Sequence, residues 1–390
     1  MKICYINYEK YGGGSWVHAS RFIAALRKIH DDLIVHTTLA RQGAAGEGES
    51  APVCGAFGLS DNFRELRFLA AMFGRRVFEE HRLLKEAAPD VVILRQARYV
   101  SAIPLCRLLH IPIILEINGP ALEYYEFLPK EDRLRGGAFW HWLDKKLMTI
   151  ASHSMVVSET LKQYYVDDGV AAEKITSIPN GVDVQTFNGD VPGDGIRQRL
   201  GLQGKTVVGF SGKFAKWHGL PFLADAMKAI HESGKYQNLA LLLVGSPGET
   251  VVMPDLPNDI TTITGHILHD EMPAYLAAID ICVAPYPPIT PFYFSPLKIF
   301  EAMSMCKPVI ASAQGQICEL ITDQENGLLY PPGDLSALIQ RIERLLVDAE
   351  LRRTLGQNAR KVMETKYTWK DNAERMLDLC KKVVEQKKMT

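Results

Sequence analysis

The sequence predicts an α/β protein built from two doubly wound parallel sheets, one in each of two domains. Three observations carry this. Short β-branched and apolar runs alternate along the chain with longer helical patterns. The runs fall into two groups of similar size, and each group opens with a strand, a glycine-rich turn and a helix. The chain has 390 residues, 47% of them hydrophobic and 23% charged, which suits two globular domains with sizeable cores. That apolar content excludes wholesale disorder.

In order, strands are predicted at 2–6, 33–37, 91–94, 113–116 and 154–157. The second group comprises 206–211, 239–244, 260–264, 281–284 and 308–311. These runs are apolar on both faces, as strands covered by helices on two sides must be. Helical patterns separate most of them, for example 16–29, 220–233 and 273–278. Between the groups lies Asn188-Gly189-Asp190-Val191-Pro192-Gly193-Asp194-Gly195, dense in linker residues. The expected domains are therefore 1–187 and 196–369. The stretch 369–388 is an amphipathic helix with Met376, Leu379 and Val383 on one stripe.

Lys and Arg number 44 against 45 Asp and Glu, a net charge of -1. That balance argues against a nucleic-acid partner, which selects for a basic excess. The apolar run at the start is too short for a secretory signal and reads as a buried strand. No apolar stretch reaches the roughly 18–20 residues that span a bilayer. Seven scattered cysteines, none in a C-x-x-C pair, fit free thiols in a reducing compartment. The expectation is a cytoplasmic protein. Segment 63–85 adds a qualification. As a helix it gathers Arg64, Arg67, Arg75, Arg82 and Lys85 on one side, with Leu66, Leu69, Phe73, Val77 and Leu84 on the other. The bland reading is a surface helix packed on the core. The sharper one is a basic face meeting anionic headgroups at the inner membrane surface.

Three segments carry chemistry. Tyr11-Gly12-Gly13-Gly14-Ser15-Trp16 follows the first strand and opens a helix. Such glycines let backbone approach an anion closely, Gly13 and Gly14 above all, although a plain flexible turn uses them too. The spacing is not G-x-G-x-x-G, and the next strand ends Val35-His36-Thr37-Thr38 without the acidic residue of an NAD site. In the second half, Gly212-Lys213-Phe214-Ala215-Lys216-Trp217-His218-Gly219 follows a strand. Lys213 and His218 then lie at the C-terminal end of a parallel strand, where open α/β sheets bind ligands and where cations suit a diphosphate. A polar loop with exposed charges is the alternative. Third, Ser295-Pro296-Leu297-Lys298 reads as a helix start, with Ser295 as N-cap, Pro296 at N1, and the N–H groups of Leu297 and Lys298 aimed outward. Glu301, one turn in, is either a surface glutamate or a carboxylate for two ribose hydroxyls. The apolar loop 285–294 before it fits the wall of a cleft.

The chain resembles the GT-B glycosyltransferases, in particular the retaining enzymes of glycosyltransferase family 4. Ile178-Pro179-Asn180-Gly181-Val182-Asp183, Gly212-Lys213 with His218-Gly219, and Ser295 to Met303 with Lys307-Pro308-Val309-Ile310-Ala311 carry the likeness. Asn326-Gly327-Leu328-Leu329-Tyr330-Pro331 and Tyr367-Thr368-Trp369 complete the ordered set. The resemblance implies two Rossmann-like domains facing a deep cleft, with the last helix (370–390) crossing back to the first domain; phosphate ligands drawn from both halves suggest that the domains close around the donor. It implies a UDP- or GDP-type nucleotide sugar as co-substrate, no further cofactor and no metal. Lys213 falls where the family has an arginine on the donor phosphate, and His218 where it has a lysine. With Asn118 they form the expected catalytic set. Gly13, Gly14, Gly212, Gly265, His266, Ser295, Pro296, Leu297, Lys298 and Glu301 are the expected donor contacts, His266 on the base side. Glu301 matches the second glutamate of the family's E-x7-E pattern, and Tyr293 replaces the first. Glu116-Ile117-Asn118-Gly119-Pro120 follows the strand where many members place a histidine, which makes Glu116 and Asn118 the expected acceptor contacts.

The implied activity is transfer of a sugar, with retention, to a glycan, lipid-linked or small-molecule acceptor in cell-surface polysaccharide or glycoconjugate synthesis. Another GT-B sugar-phosphate enzyme, such as a phosphorylase or epimerase, and an inactive nucleotide-sugar-binding subunit are the alternatives.

Overall fold

A computed structural model describes residues 1–8, 14–37, 75–95, 101–120, 137–247 and 253–389. Gly13 and positions 64–74 of the amphipathic segment lie outside them. The chain packs as two units. The first comprises 1–157, 161–178 and 373–390, and the second 158–160 and 179–372.

The first unit holds a six-stranded sheet of β1 (Ile3–Asn7), β2 (Leu33–Thr37), β3 (Val91–Arg95), β4 (Ile113–Ile117), β5 (His153–Val156) and β6 (Ile175–Ser177). Its order is β2-β1-β3-β4-β5-β6, and every pairing is parallel. Helices Gly14–Ile29, Arg75–Ala87, Ala102–Leu108, Gly137–Ile150 and Glu159–Asp167 connect it. All residues of β1, β3 and β4 are buried, which is why these strands read as apolar runs, broken only near their C-terminal ends by Asn7, Arg95 and Glu116.

The second unit repeats the plan with β7 (Thr206–Ser211), β8 (Leu239–Val244), β9 (Thr261–Ile263), β10 (Ile281–Ala284), β11 (Val309–Ser312) and β12 (Leu328–Tyr330). Its order, β9-β8-β7-β10-β11-β12, is again parallel throughout. Apolar clusters on either face bury Leu242, Ile299 and Val309 on one side and Leu241, Leu243 and Ile310 on the other. Each such side chain contributes about 1.5–3 kcal/mol on leaving water.

Strand order reverses between β1 and β3 in one sheet and between β7 and β10 in the other. Beyond the strand ends at these switch points lies the crevice where open α/β sheets take ligands.

The edge strands β6 and β12 escape the sequence pattern because three residues are too few to show a strand's alternation. The unit boundary falls at Pro179, ahead of the linker expected after residue 187. The reason is local. Segment 179–187 is tied to the second unit by Asn180, whose backbone N–H donates to Ser295 Oγ at 2.9 Å, and by Phe187, buried in that unit's core. Val182 N–H donates to Tyr367 C=O at 2.9 Å, and the Trp369 N–H donates back to Val182 C=O at 3.3 Å. Gly181 is required there, since a Cβ would sit 2.8 Å from Trp369 N. The P-N-G-V-D motif therefore works as a clasp. The last helix, Trp369–Lys388, begins in the second unit, and its residues from Ala373 onward belong to the first. No helix among the described residues is long and apolar enough to cross a membrane.

Candidate donor site and a buried charge cluster

The strand end of β7 turns at Gly212, whose φ of +117° suits glycine. A side chain at 212 would meet Lys298 Nζ at 3.2 Å, so glycine brings the turn against that amine. The loop after β7 closes at Gly219 (φ +70°), where a Cβ would lie 1.7 Å from Pro285 C=O. Glycine at 219 thus lets the β7 and β10 loops touch across the switch point. Helix Leu220–Glu232 follows it.

Helix Leu297–Ser304 begins one residue later than the sequence suggests. Pro296 holds the N-cap position, and Ser295 makes no cap bond because its hydroxyl oxygen accepts the Asn180 N–H. Its C=O also accepts from Asn180 Nδ2, at 2.5 Å. Leu297 and Lys298 still occupy the first turn, where N–H groups lack intrahelical partners and the helix dipole is positive.

Lys298 Nζ is buried and has no hydrogen-bond partner among the described residues. It lies 3.9 Å from the centroid of the Phe210 ring and 5.7 Å from that of Tyr286. It lines a narrow pocket with Ser211, Cys282, Ala284 and Ile299. Burial pushes its pKa down to about 7, against the opposing pull of the Glu301 carboxylate.

His218 was expected as a cation and is not one. Its ring packs among Phe210, Trp217 and Tyr286, and its Nδ1–H donates to Lys213 C=O at 2.5 Å. Burial first, then the Lys298 charge, holds it well below the ordinary histidine range despite that backbone hydrogen bond. With the proton on Nδ1, Nε2 presents a lone pair. Lys213 itself is exposed in the loop after β7. The aromatic residues of the 285–294 loop are core more than cleft wall. Tyr286, Phe292 and Tyr293 are buried, and Tyr293 C=O accepts from Ser158 Oγ at 2.8 Å.

Glu301 is largely buried, and its Oε1 lies 2.8 Å from His269 Nε2. His269 was missed by sequence reasoning; it opens a short 3-10 turn after β9 and carries no motif. Gly265 (φ +75°) has open space where a Cβ would be, and His266 is exposed. Gly14 begins its helix in the first unit.

At the edge of the first sheet the outcome differs from expectation. Glu116 cannot be an acceptor contact, because it is 0% exposed and its oxygens are taken. Tyr5 O–H donates to Oε2 at 2.5 Å, Arg95 Nη1 donates to Oε1, and His18 Nε2 lies 2.9 Å from Oε1. Burial alone would raise the Glu116 pKa. Arg95, then His18 and Tyr5, outweigh it and bring it down to about 2. Arg95 and Glu116 are register partners on adjacent parallel strands, so their side chains share one face. A charge closing each apolar strand was the available signal. With its carboxamide oriented by the network, Asn118 Oδ1 accepts from Arg95 Nη1 at 3.3 Å and Nη2 at 3.2 Å. Its NH2 is thereby turned away from Arg95.

Buried thiols at Cys4, Cys106, Cys282 and Cys380 are pushed up to about 12 by burial, which leaves them inert. Among the described residues no cluster of three or more His, Cys, Asp or Glu is arranged to hold a metal ion.

Two family models match the chain, Glycosyltransferase Family 4 over residues 12–186 and Glycosyl transferases group 1 over 205–348. A sulfoquinovosyl transferase of Arabidopsis thaliana is 26% identical over 90% of this chain and 66% of its own length. A lipopolysaccharide 1,2-N-acetylglucosaminetransferase of Salmonella typhimurium is 27% identical over 58% of this chain and 61% of its own. The chain thus spans two thirds or less of these curated relatives. Among solved structures, sucrose-phosphate synthase from Thermosynechococcus elongatus superposes with a TM-score of 0.73 at 21% identity, covering 99% of both chains. Anabaena HepE in complex with UDP-glucose gives 0.70 at 19% identity, covering 98% of this chain and 100% of its own. With the two six-stranded parallel sheets, these matches establish that the chain belongs to the GT-B glycosyltransferases of family 4, the glycosyl transferases group 1.

Proposed function

We propose that this protein transfers a sugar, with retention and without a metal, from a UDP- or GDP-type nucleotide sugar to a glycan, lipid-linked or small-molecule acceptor. Cell-surface polysaccharide or glycoconjugate synthesis is the setting that its relatives suggest, among them a lipopolysaccharide enzyme and a capsular polysaccharide enzyme of Staphylococcus aureus. The observation that carries the reading is Lys298 Nζ, desolvated beside Gly212 at the switch point of the second sheet. A buried amine with no partner is costly unless an anion completes it.

Glycosyl transfer builds negative charge on the leaving diphosphate while the sugar ring becomes positive. Fixed dipoles and cations aimed at that phosphate lower the barrier. Lys298, Lys213 and the first-turn N–H groups of helix Leu297–Ser304 are the proposed stabilisers. His218 is proposed to line the same site as a packed ring, neutral in the free protein. Asn118 is the polar group proposed for the acceptor side. The retaining course rests on the family likeness, with a phosphate oxygen helping to remove the acceptor proton on the face that the leaving group departs from.

The test is a thermal-shift screen against nucleoside diphosphates and their sugars, since stabilisation follows affinity. The best donor is then assayed for transfer with and without EDTA, and the anomeric configuration of the product is read by NMR. An inverted product or complete loss with EDTA removes the finer claims. Lys213→Ala should lower kcat/KM by about 30- to 1000-fold, the cost of about 2–4 kcal/mol for one charge-stabilising donor. Near-wild-type turnover would remove Lys213 from the site.

The amphipathic face remains a proposal for peripheral membrane contact from a cytoplasmic protein. In its described part, Leu84 is buried while Arg82, Lys85 and Phe78, 76% exposed, face outward. Co-sedimentation with anionic but not neutral vesicles would support it.

A further inference from the structure

Glu301 has a carboxylate with two oxygens in different situations. Oε1 is 2.8 Å from His269 Nε2. A carboxylate can only accept, so His269 donates through Nε2–H. The imidazole is itself held: its ring packs against Phe187 at 5.4 Å between centroids, and Phe187 is 2% exposed in the core. Oε2 has no hydrogen-bond partner among the described residues. A rigid donor on one oxygen fixes the plane of the carboxylate and leaves the other oxygen to the ligand.

We propose that His269 is the positioning residue for recognition of the donor ribose, holding the Glu301 carboxylate so that it accepts from the ribose 2′- and 3′-hydroxyls. This rests on the reading of Glu301 as a nucleotide contact. A ribose offers two adjacent O–H donors about as far apart as the two carboxylate oxygens. A carboxylate free to rotate about χ3 binds that pair only after losing rotamer freedom, whereas a pinned one has lost it already. The consequence is selectivity. A pinned carboxylate should tell a ribose from a 2′-deoxyribose, because the missing hydroxyl forfeits one hydrogen bond to a charged group in a largely buried place.

The experiment measures dissociation constants by calorimetry for UDP against 2′-deoxy-UDP and GDP against 2′-deoxy-GDP. It uses the wild type, His269→Ala, His269→Gln and Glu301→Gln. Wild type should favour the ribonucleotide by about tenfold, the size of one hydrogen bond to a charged group. His269→Ala should bring that ratio close to one. His269→Gln, which still carries an N–H donor, should restore most of it. Should His269→Ala fail to fold, His269→Leu keeps the apolar packing on Phe187, removes the donor and reads the same ratio. A wild-type ratio retained in the Ala or Leu variant overturns the proposal. If Glu301→Gln meanwhile weakens nucleotide binding, the site reading survives and only the role of His269 is lost. If Glu301→Gln binds as wild type does, or neither nucleotide binds wild type, the ribose reading fails and the proposal goes with it.

Discussion

At the C-terminal edge of the first sheet, Glu116 is surrounded by Tyr5, His18 and Arg95. At the matching edge of the second sheet, Lys298 Nζ lies against the faces of Phe210 and Tyr286 with no hydrogen-bond partner among the described residues. Both groups are desolvated and both stand near a switch point of strand order. Their pKa values are moved by different surroundings. Glu116 is held far down, to about 2, and so remains charged and matched. Lys298 is pushed down to about 7, and so is charged only in part and unmatched. The first arrangement is complete within its own residues; the second fits the proposed phosphate site, where an anion would supply the missing hydrogen-bond partner.

The largest test of that contrast is to remove Glu116. Glu116→Ala removes the buried carboxylate that Arg95, His18 and Tyr5 all meet and should destabilise the protein by about 3–5 kcal/mol. Chemical denaturation followed by circular dichroism reads this directly. The same pair predicts a pH dependence. The folded pKa lies below the unfolded 4.5, so this stabilisation is fully present above pH 4.5 and is lost as pH falls toward 2. It amounts to about 3 kcal/mol. A Glu116→Ala protein as stable as wild type at pH 7 would break the comparison from the first side.

The second side is tested at Lys298. Lys298→Met keeps the stem and removes the amine, so stability should hold or rise by about 1–3 kcal/mol as an unsatisfied buried donor disappears. Activity should fall by about 2–4 kcal/mol in transition-state stabilisation. Here the folded pKa lies below the unfolded 10.5. Charge in the folded state is therefore penalised below pH 7, and wild type gains on the variant as pH rises from 7 to 10.5. The gain is at most about 1.4 kcal/mol per pH unit. Loss of stability in Lys298→Met with activity intact would make Lys298 architecture after all.

A subtler consequence concerns protons. An anion seated at Lys298 favours the ammonium, so nucleoside diphosphate binding at pH 8 should take up a fraction of a proton up to one. Calorimetry in two buffers of different ionisation enthalpy reads that number. Uptake that persists in Lys298→Met would move its source to His218.

The strands and their grouping were legible because apolar runs of four to six residues are local signals. Lys213, Lys298 and Glu301 were legible as positions, through glycine turns and a proline-marked helix start. Their surroundings were not. Arg95 and Glu116 become partners only through the register of two strands, and Tyr5 meets Glu116 across 111 positions of chain. His218 looks like a cation in sequence. Only packing on Phe210 and Tyr286, with Lys298 nearby, makes it neutral. His269 reaches Glu301 from a turn with no motif at all.

The smallest effect lies at Ser295, where sequence and structure disagree about one hydroxyl. Read as an N-cap at a helix start, it belongs with the ligand-facing group. In the structure its oxygen accepts the Asn180 N–H and its C=O accepts from Asn180 Nδ2, so it belongs with the groups already satisfied. Ser295→Ala removes the first of these bonds and leaves the second. It should cost about 1 kcal/mol of stability, the net worth of one ordinary hydrogen bond, read by thermal or urea unfolding. Nucleoside diphosphate affinity should stay within about twofold, well short of the tenfold that 1.4 kcal/mol would bring. A tenfold loss of affinity with no loss of stability would return Ser295 to the donor site and move the line between clasp and ligand contact one residue toward the chain's start.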